Sequence, residues 1–596
     1  MHRHILFKTG ALVLLMACLL GCEKSDSMLD PKSTSELNEE SVFSDVERSR
    51  DFLINIYTYL RFEVGTSGYE LNTYGGSLSD MTDESDTRWP GGHNVGNQII
   101  GGTFGTAFYT RASDMWTNFY TAIRQVNIYL RNVDRIPVSD ELKSRTAAEA
   151  RFLRAYFYHK LMCYYGGVIL VGDEVYDLTS TREEGRDTYA ACVEYIVSEM
   201  NAIAPMLPLS YSGSDYGRIT RGAALSLKAR VLLYAASPLY NGNSSLETGS
   251  TILPELTNNP QVAELVSYPS RDNNRWQAAL QAAKEVADLG VYSLYTDNTT
   301  RAGNGFYQVF LDRVNPEYIM AVMLEGNKFI EANTNPPSRG GAYYRFPTQE
   351  MVDAFPMKNG LPITDNTSGY DESKMYENRD PRFYYTVIYN GAMYWDQRVN
   401  TQTAVYTYVG ANLDGLKAST VNTGTVTGYY VRKMANEYLS GSSTGTTYRC
   451  MPVFRYAEIL LMMAEANVET GNIGEAMDQL IELRKRAGIE PGADLRYGIP
   501  ADPSTELARA AVRKERFIEL AFEEHRYWDL RRWGLGAQYD GKYVHGINIV
   551  RNSNGTYNSN RFDVRAPRYF KINSYFFPIP TTEIAINRNI LQNPGW

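Results

Sequence analysis

The chain has 596 residues, a formal net charge of −9, 43% hydrophobic and 21% charged side chains. That length is enough to bury a large core, and an acidic balance with both signs interspersed excludes a polyanionic partner such as nucleic acid. Aromatic residues are abundant, with 45 Tyr beside 22 Phe and 7 Trp. Tyrosine couples a flat apolar face to a hydroxyl, a combination that serves helix packing and sugar contact alike.

Residues 1–21 read as a secretory leader. Arg3, His4 and Lys8 form a basic start, and residues 11–20 are an unbroken apolar run far shorter than the roughly 20 residues that cross a bilayer. Residues 19–22 (LLGC) resemble the lipobox of bacterial lipoproteins, which implies cleavage before Cys22 and a lipid anchor on it. Residues 22–43 then form the lipidated tether. Of five cysteines, Cys18 leaves with the leader and Cys22 carries lipid. Cys163, Cys192 and Cys450 remain, which is no disulfide framework; one bridge at most is open to them, between an undetermined pair.

Helical periodicity recurs in pairs. Residues 44–61 and 112–132 are the first two amphipathic stretches, followed by 140–165 with 187–204, 219–237 with 273–289, and 452–470 with 474–487. In the last of these, Ala476, Leu480, Leu483 and Ala487 share one face, and Gly471 suits the left-handed residue that ends the preceding helix. A final long helix is expected over 506–533. Stacked pairs with alanines at close approaches resemble tetratricopeptide repeats, but long insertions at 62–111, 238–272 and 290–450 interrupt them. The expected architecture is mainly α: four tetratricopeptide-like helix-turn-helix pairs as a scaffold, with loop-rich insertions and a few short strands. It divides into an N-terminal helical part, 44–237, carrying the loop 62–111, and a C-terminal part, 238–596, carrying the insertion 290–450.

Motifs of catalysis are scarce. No HExxH, Walker A, Rossmann glycine pattern or CxxC pair occurs. Residues 441–445 (GSSTG) fit G-x-S-x-G in letters, but a Ser/Thr/Gly tract supplies neither the strand nor the helix that a nucleophile elbow needs. His93, His159, His525 and His545 lack metal-ligand spacing. The acidic cluster Asp80, Asp83, Glu84 and Asp86 suits a solvated loop, sugar hydroxyls or a Ca²⁺ ion; a glycosidase pair needs carboxylates on rigid elements.

A saccharide site requires an aromatic platform flanked by polar partners. Three loops offer one. The first, 71–96, holds Tyr74 and Trp89 with Asp83, Glu84, Arg88 and Asn94. The second, 338–348, holds Tyr343, Tyr344 and Arg345. The third, 391–400, holds Tyr394 and Trp395.

The segment RKERFIELAFEEHRYWDLRRWG (513–534) closely resembles the signature of the SusD/RagB family of outer-membrane nutrient-binding lipoproteins. Segments 148–171, 218–241, 452–471 and 576–596 agree with it in order. Within the signature, Phe517, Leu520, Ala521 and Trp528 are expected on one helix face, with Arg516, Glu519, Glu523 and Arg526 as ion-pairing side chains around it. Glu519, Arg526, Asp529 and Arg531 are expected to form a structural ion-pair network. The resemblance implies a four-unit tetratricopeptide-like scaffold whose loops bind ligand, anchored at the cell surface as a lid over a TonB-dependent outer-membrane transporter. It implies capture of a glycan without catalysis. Oligopeptide capture on the same scaffold, a secreted glycosidase and a purely protein-contacting repeat scaffold are the competing readings.

Overall fold

The structure is a computed structural model of the full chain and describes residues 38–62, 64–65, 68–69, 77–87, 95–103, 112–176, 183–341, 345–417, 423–439 and 445–596. The leader, Cys22, Tyr74, Arg88, Trp89, Asn94, Tyr343, Tyr344 and residues 441–444 lie outside the described residues.

The scaffold is built from α1 (Val46–Thr58), α2 (Ala112–Asn132), α3 (Asp140–Tyr165), α4 (Tyr189–Ile203), α5 (Arg221–Ala236), α6 (Asn274–Ala287), α7 (Tyr456–Glu469) and α8 (Ile473–Arg486). From α2 onward each packs on the next, α1 lies on α2 and α3, and α6 meets α7 across the long insertion. The chain is mainly helical, as its periodicity predicts. Local chemistry sets the boundaries: Ser139, Thr188 and Thr220 accept the backbone N–H of Leu142, Ala191 and Ala223 at 3.3, 3.1 and 3.2 Å, each satisfying one of the orphan donors of a helix start. Gly471 ends α7 at φ 85°.

Helix α3 shows how the stack closes. From Ala148 onward almost every residue is buried, because neighbouring helices cover more than one face and no wide polar stripe remains. It stops at Gly166, where a Cβ would come within 2.6 Å of the Leu265 carbonyl oxygen. Where α5 crosses α6, buried Ala223, Ala224, Ala279, Ala282 and Ala283 let the backbones approach closely.

Short two-stranded antiparallel ladders decorate the scaffold. The strands are β1 (Ser85–Asp86), β2 (Tyr318–Met323), β3 (Phe346–Pro347), β4 (Ala392–Asp396), β5 (Thr401–Val405), β6 (Cys450–Arg455), β7 (His545–Arg551) and β8 (Tyr557–Asp563), paired β1–β3, β2–β6, β4–β5 and β7–β8. The β2–β6 ladder brings the two ends of the long insertion together beside the start of α7. Cys163, Cys192 and Cys450 are buried and form no disulfide with one another. Among the described residues no helix is long and apolar enough to cross a membrane.

The expected helix over 506–533 is instead two helices, α9 (Thr505–Glu519) and α10 (His525–Arg532). Between them Phe522 and Glu524 take φ of 62° and 67°, a left-handed conformation that is uncommon outside glycine. The break turns on distant partners. Lys433 Nζ donates to the Glu519 and Ala521 carbonyls at 2.9 and 2.8 Å and to Glu523 Oε1 at 2.8 Å. Arg455 donates to the Glu519 carbonyl at 2.9 Å and to both Glu523 carboxylate oxygens at 2.7 Å. These cations satisfy carbonyls that a continuous helix would have paired internally. The four apolar residues expected on one face are consequently split. Phe517 and Ala521 pack with Val387 and Ile547, and Leu520 with the α7–α8 core. Trp528 meets the ring of Tyr164 at 4.9 Å.

Glu519 sits at the centre of this knot. Its carboxylate accepts from Arg455 at 2.8 Å and Arg382 at 2.9 Å, and also from Arg486, with all four side chains buried. Burial alone would raise this acid, but the three guanidiniums override it and hold it well below the usual carboxylate range. Glu519→Ala leaves those cations short of a counter-charge. The expected loss in urea unfolding is about 3–5 kcal/mol, and a loss below 1 kcal/mol would remove the knot from the account of stability.

Candidate functional site

The structure draws the three candidate loops together. In the β1–β3 ladder Ser85 lies opposite Pro347 and Asp86 opposite Phe346, so residues 87 and 345 leave the same end of the ladder, one toward 88–94 and the other toward 342–344. Thr348 ties the two strands further, its backbone N–H donating to the Glu84 carbonyl at 3.1 Å and its hydroxyl to the Asp83 carbonyl. The segment before the second loop is bound in turn to the third. Arg339 donates to Thr403 Oγ1 at 2.6 Å and lies 3.5 Å from Asp396, while the Tyr394 hydroxyl donates to Asn335 Oδ1 at 2.9 Å.

Strand alternation then separates two neighbours. Tyr394 faces the core, fully buried, whereas Trp395 is half-buried and meets the ring of Tyr438 edge-on at 5.1 Å. Tyr438 is 55% exposed, and Gln397 Nε2 donates to its backbone carbonyl at 2.8 Å. This pair is an aromatic edge open to solvent, on a hairpin clamped to the second loop.

Beneath the first two loops lies a buried acidic floor. Ser77 and Asp80 form a reciprocal cap at the start of residues 78–81, and Ser85 donates to Asp80 Oδ1 at 2.7 Å. Asp83 takes a bidentate contact from Arg526 at 2.8 and 2.7 Å. Arg526 and Tyr539 keep that carboxyl below its usual range against the pull of burial. Asp86 pairs with Arg565 and Arg568. Glu84 Oε1 accepts the Phe522 N–H at 3.3 Å, so the helix break and the first loop share a contact. Glu524 accepts from the Ser77 hydroxyl and lies 3.8 Å from Arg345. The second oxygens of Glu84 and Glu524 are buried without hydrogen-bond partners. Burial above all pushes both carboxyls up to about 8.

This fold and these loops have relatives. A family model described as the SusD family matches residues 297–596, and one described as "Starch-binding associating with outer membrane" matches residues 72–233. The chain belongs to the SusD family. It is 22% identical over 595 residues to a SusD-like protein, P25, of Formosa agariphila, covering 98% of each chain. It is 23% identical over 502 residues to the starch-binding protein SusD of Bacteroides thetaiotaomicron, covering 80% of this chain and 76% of that one. A crystal structure of a SusD-like protein from Bacteroides fragilis superposes with a TM-score of 0.74 at 25% identity, covering 93% of this chain and 98% of the other.

Several readings of this SusD-family chain are corrected by its structure. Asp83 and Glu84, expected to face a ligand, are 7% and 1% exposed and committed to Arg526 and Phe522. Asp80, Asp83, Glu84 and Asp86 do not form a Ca²⁺ cage, because their carboxylates serve a helix cap, arginines and a backbone N–H. Among the described residues no three His, Cys, Asp or Glu side chains come together as a metal site. Nor do Glu519, Arg526, Asp529 and Arg531 form one network. Asp529 pairs with Arg516 and Arg532 at 3.0 and 2.8 Å. Arg531 donates to the Ser574 and Tyr527 carbonyls at 2.9 and 3.0 Å. Arg345 is mostly buried on the floor. Tyr438 escapes a reading by periodicity because it borders a Gly/Ser/Thr tract; its only sequence signal is an aromatic beside such a tract.

The floor makes stability pH-dependent with a definite sign. A carboxyl raised on folding stabilises the fold fully below its unfolded pKa of about 4.3, and that contribution is lost as pH climbs to about 8. The melting temperature of the wild type should therefore carry a falling component between pH 5 and 8.5. The double variant Glu84→Gln/Glu524→Gln should lose less than half as much over that span; parallel profiles would count against the two acids being protonated.

Proposed function

We propose that this chain captures glycans, oligo- or polysaccharide, and delivers them unaltered to a TonB-dependent transporter in the outer membrane. It would sit at the cell surface, anchored through lipid on Cys22. The observation that carries the reading is the convergence of three loops on a rigid floor with the Trp395–Tyr438 edge beside them. A pyranose presents C–H faces and hydroxyl rims, and aromatic edges beside polar loops match both. Family membership supports the same reading: the SusD relative of Bacteroides thetaiotaomicron is a starch-binding protein, and one matching family model is described as associating with the outer membrane.

The carboxylates near the loops support capture over hydrolysis. A glycosidase needs one carboxylate charged and one protonated on either side of a bond. Here Asp83 and Asp86 are neutralised by arginines, while Glu84 and Glu524 are both held protonated and buried. The reading is tested by affinity electrophoresis in gels containing a panel of polysaccharides, comparing wild type with Trp395→Ala, Tyr438→Ala and Trp89→Ala. Retardation by the best ligand should fall at least severalfold for Trp395→Ala and Tyr438→Ala, with melting unchanged, and further for Trp89→Ala. Unchanged retardation in all three would move the site elsewhere.

A further inference from the structure

A second cleft lies apart from these loops. It is walled on one side by the connector between α4 and α5, floored by β2, and closed by Tyr292 beyond α6; it encloses about 440 Å³ of unoccupied space open to solvent. Four tyrosines line it: Tyr211, Tyr216, Tyr292 and Tyr318. None of them belongs to the three loops described above.

The cleft is built and held in place. Tyr292 lies over Gly222 so closely that a Cβ there would fall 2.3 Å from its hydroxyl oxygen. That hydroxyl shares a 3.2 Å hydrogen bond with Thr220, the cap of α5. Gly217, at φ 99°, admits the Met323 side chain, whose Cε would lie 2.5 Å from an added Cβ. Behind the wall, Glu149 is fully buried and accepts from the Tyr57 and Tyr211 hydroxyls at 2.7 and 3.1 Å and from Arg218 at 3.0 Å. The one cation lining the cleft is thereby neutralised, and the surface offers an incoming ligand no uncompensated charge.

One polar group is left over. Tyr318 is 7% exposed and its hydroxyl is buried without a hydrogen-bond partner. Such a group carries a desolvation penalty that nothing in the fold offsets, and a ligand hydroxyl would satisfy it. Aromatic faces, apolar Ile319 and Met320 between them, several hydroxyls and no net charge together select a ligand that alternates C–H faces with hydroxyls. We propose that this cleft is a second binding site, for a neutral monosaccharide or disaccharide unit, separate from the loop site and independent of it.

The test uses saturation-transfer NMR on the whole protein with methyl α-glucoside, methyl α-mannoside, methyl β-galactoside, maltose and cellobiose, with glucuronate as the charged control. At least one neutral sugar should receive saturation that Trp395→Ala leaves intact, and glucuronate should receive none. Tyr318→Phe is the decisive variant, because it deletes only the orphan hydroxyl and should melt at or above the wild-type temperature. It should weaken the responding sugar about tenfold, and Tyr292→Ala should abolish its signal. The proposal is overturned if no neutral sugar responds, if Tyr318→Phe binds as the wild type does, or if Trp395→Ala removes the same signal. Loss of polysaccharide retardation in the loop variants with the cleft signal retained would separate the two sites.

Discussion

The structure depends on burying Glu519 and Glu523 among Arg382, Arg455, Arg486 and Lys433. A lone ionised group in such a place would be prohibitively expensive, so each charge requires the others. Together they reach into distant parts of the chain: Arg382 and Lys433 come from the long insertion, Arg455 from the end of β6, Arg486 from the end of α8, and the acids from the end of α9 and the turn that follows it. The helical stack and the loop-bearing insertion therefore cannot be positioned independently. The same requirement breaks the α9–α10 helix, and the break presents the Phe522 N–H to Glu84 and Glu524 to Ser77. In this way the electrostatic knot in the core sets the floor on which the candidate loops stand.

How much of this was legible in the sequence follows from where each determinant lies. Helices α2 and α3 coincide with the expected spans 112–132 and 140–165, because periodicity and caps are local signals. The break at 520–524 was not legible: the stretch contains no Gly or Pro, and its causes lie at Lys433, Arg455 and Glu84. Asp83 reads as a solvent-facing carboxylate until Arg526, 443 positions away, closes on it. An acidic run looks like a cation site for the same reason, since sequence displays the carboxylates and conceals the arginines that occupy them. Trp395 and Tyr394 illustrate the opposite case, where strand alternation alone predicts that one ring turns inward and the other outward.

The division of labour between scaffold and loops has a chemical consequence. The acids of the floor are each committed: two sit against arginines, and two are kept protonated by burial. What remains for a ligand is aromatic surface and neutral polar groups, which favour recognition over bond breaking. The tyrosine cleft repeats that chemistry at a second place in the molecule, which gives the abundance of tyrosine a function beyond packing.

The central claim is that this SusD-family protein captures saccharide and leaves it unchanged. The most direct measurement is calorimetric titration of the intact protein with polysaccharides and, separately, with oligopeptides, followed by assay of the recovered ligand for new reducing ends. Saturable heat with at least one polysaccharide, none with peptides and no new reducing ends is the predicted result. Peptide binding in place of saccharide binding, or reducing ends that accumulate with time, would contradict it.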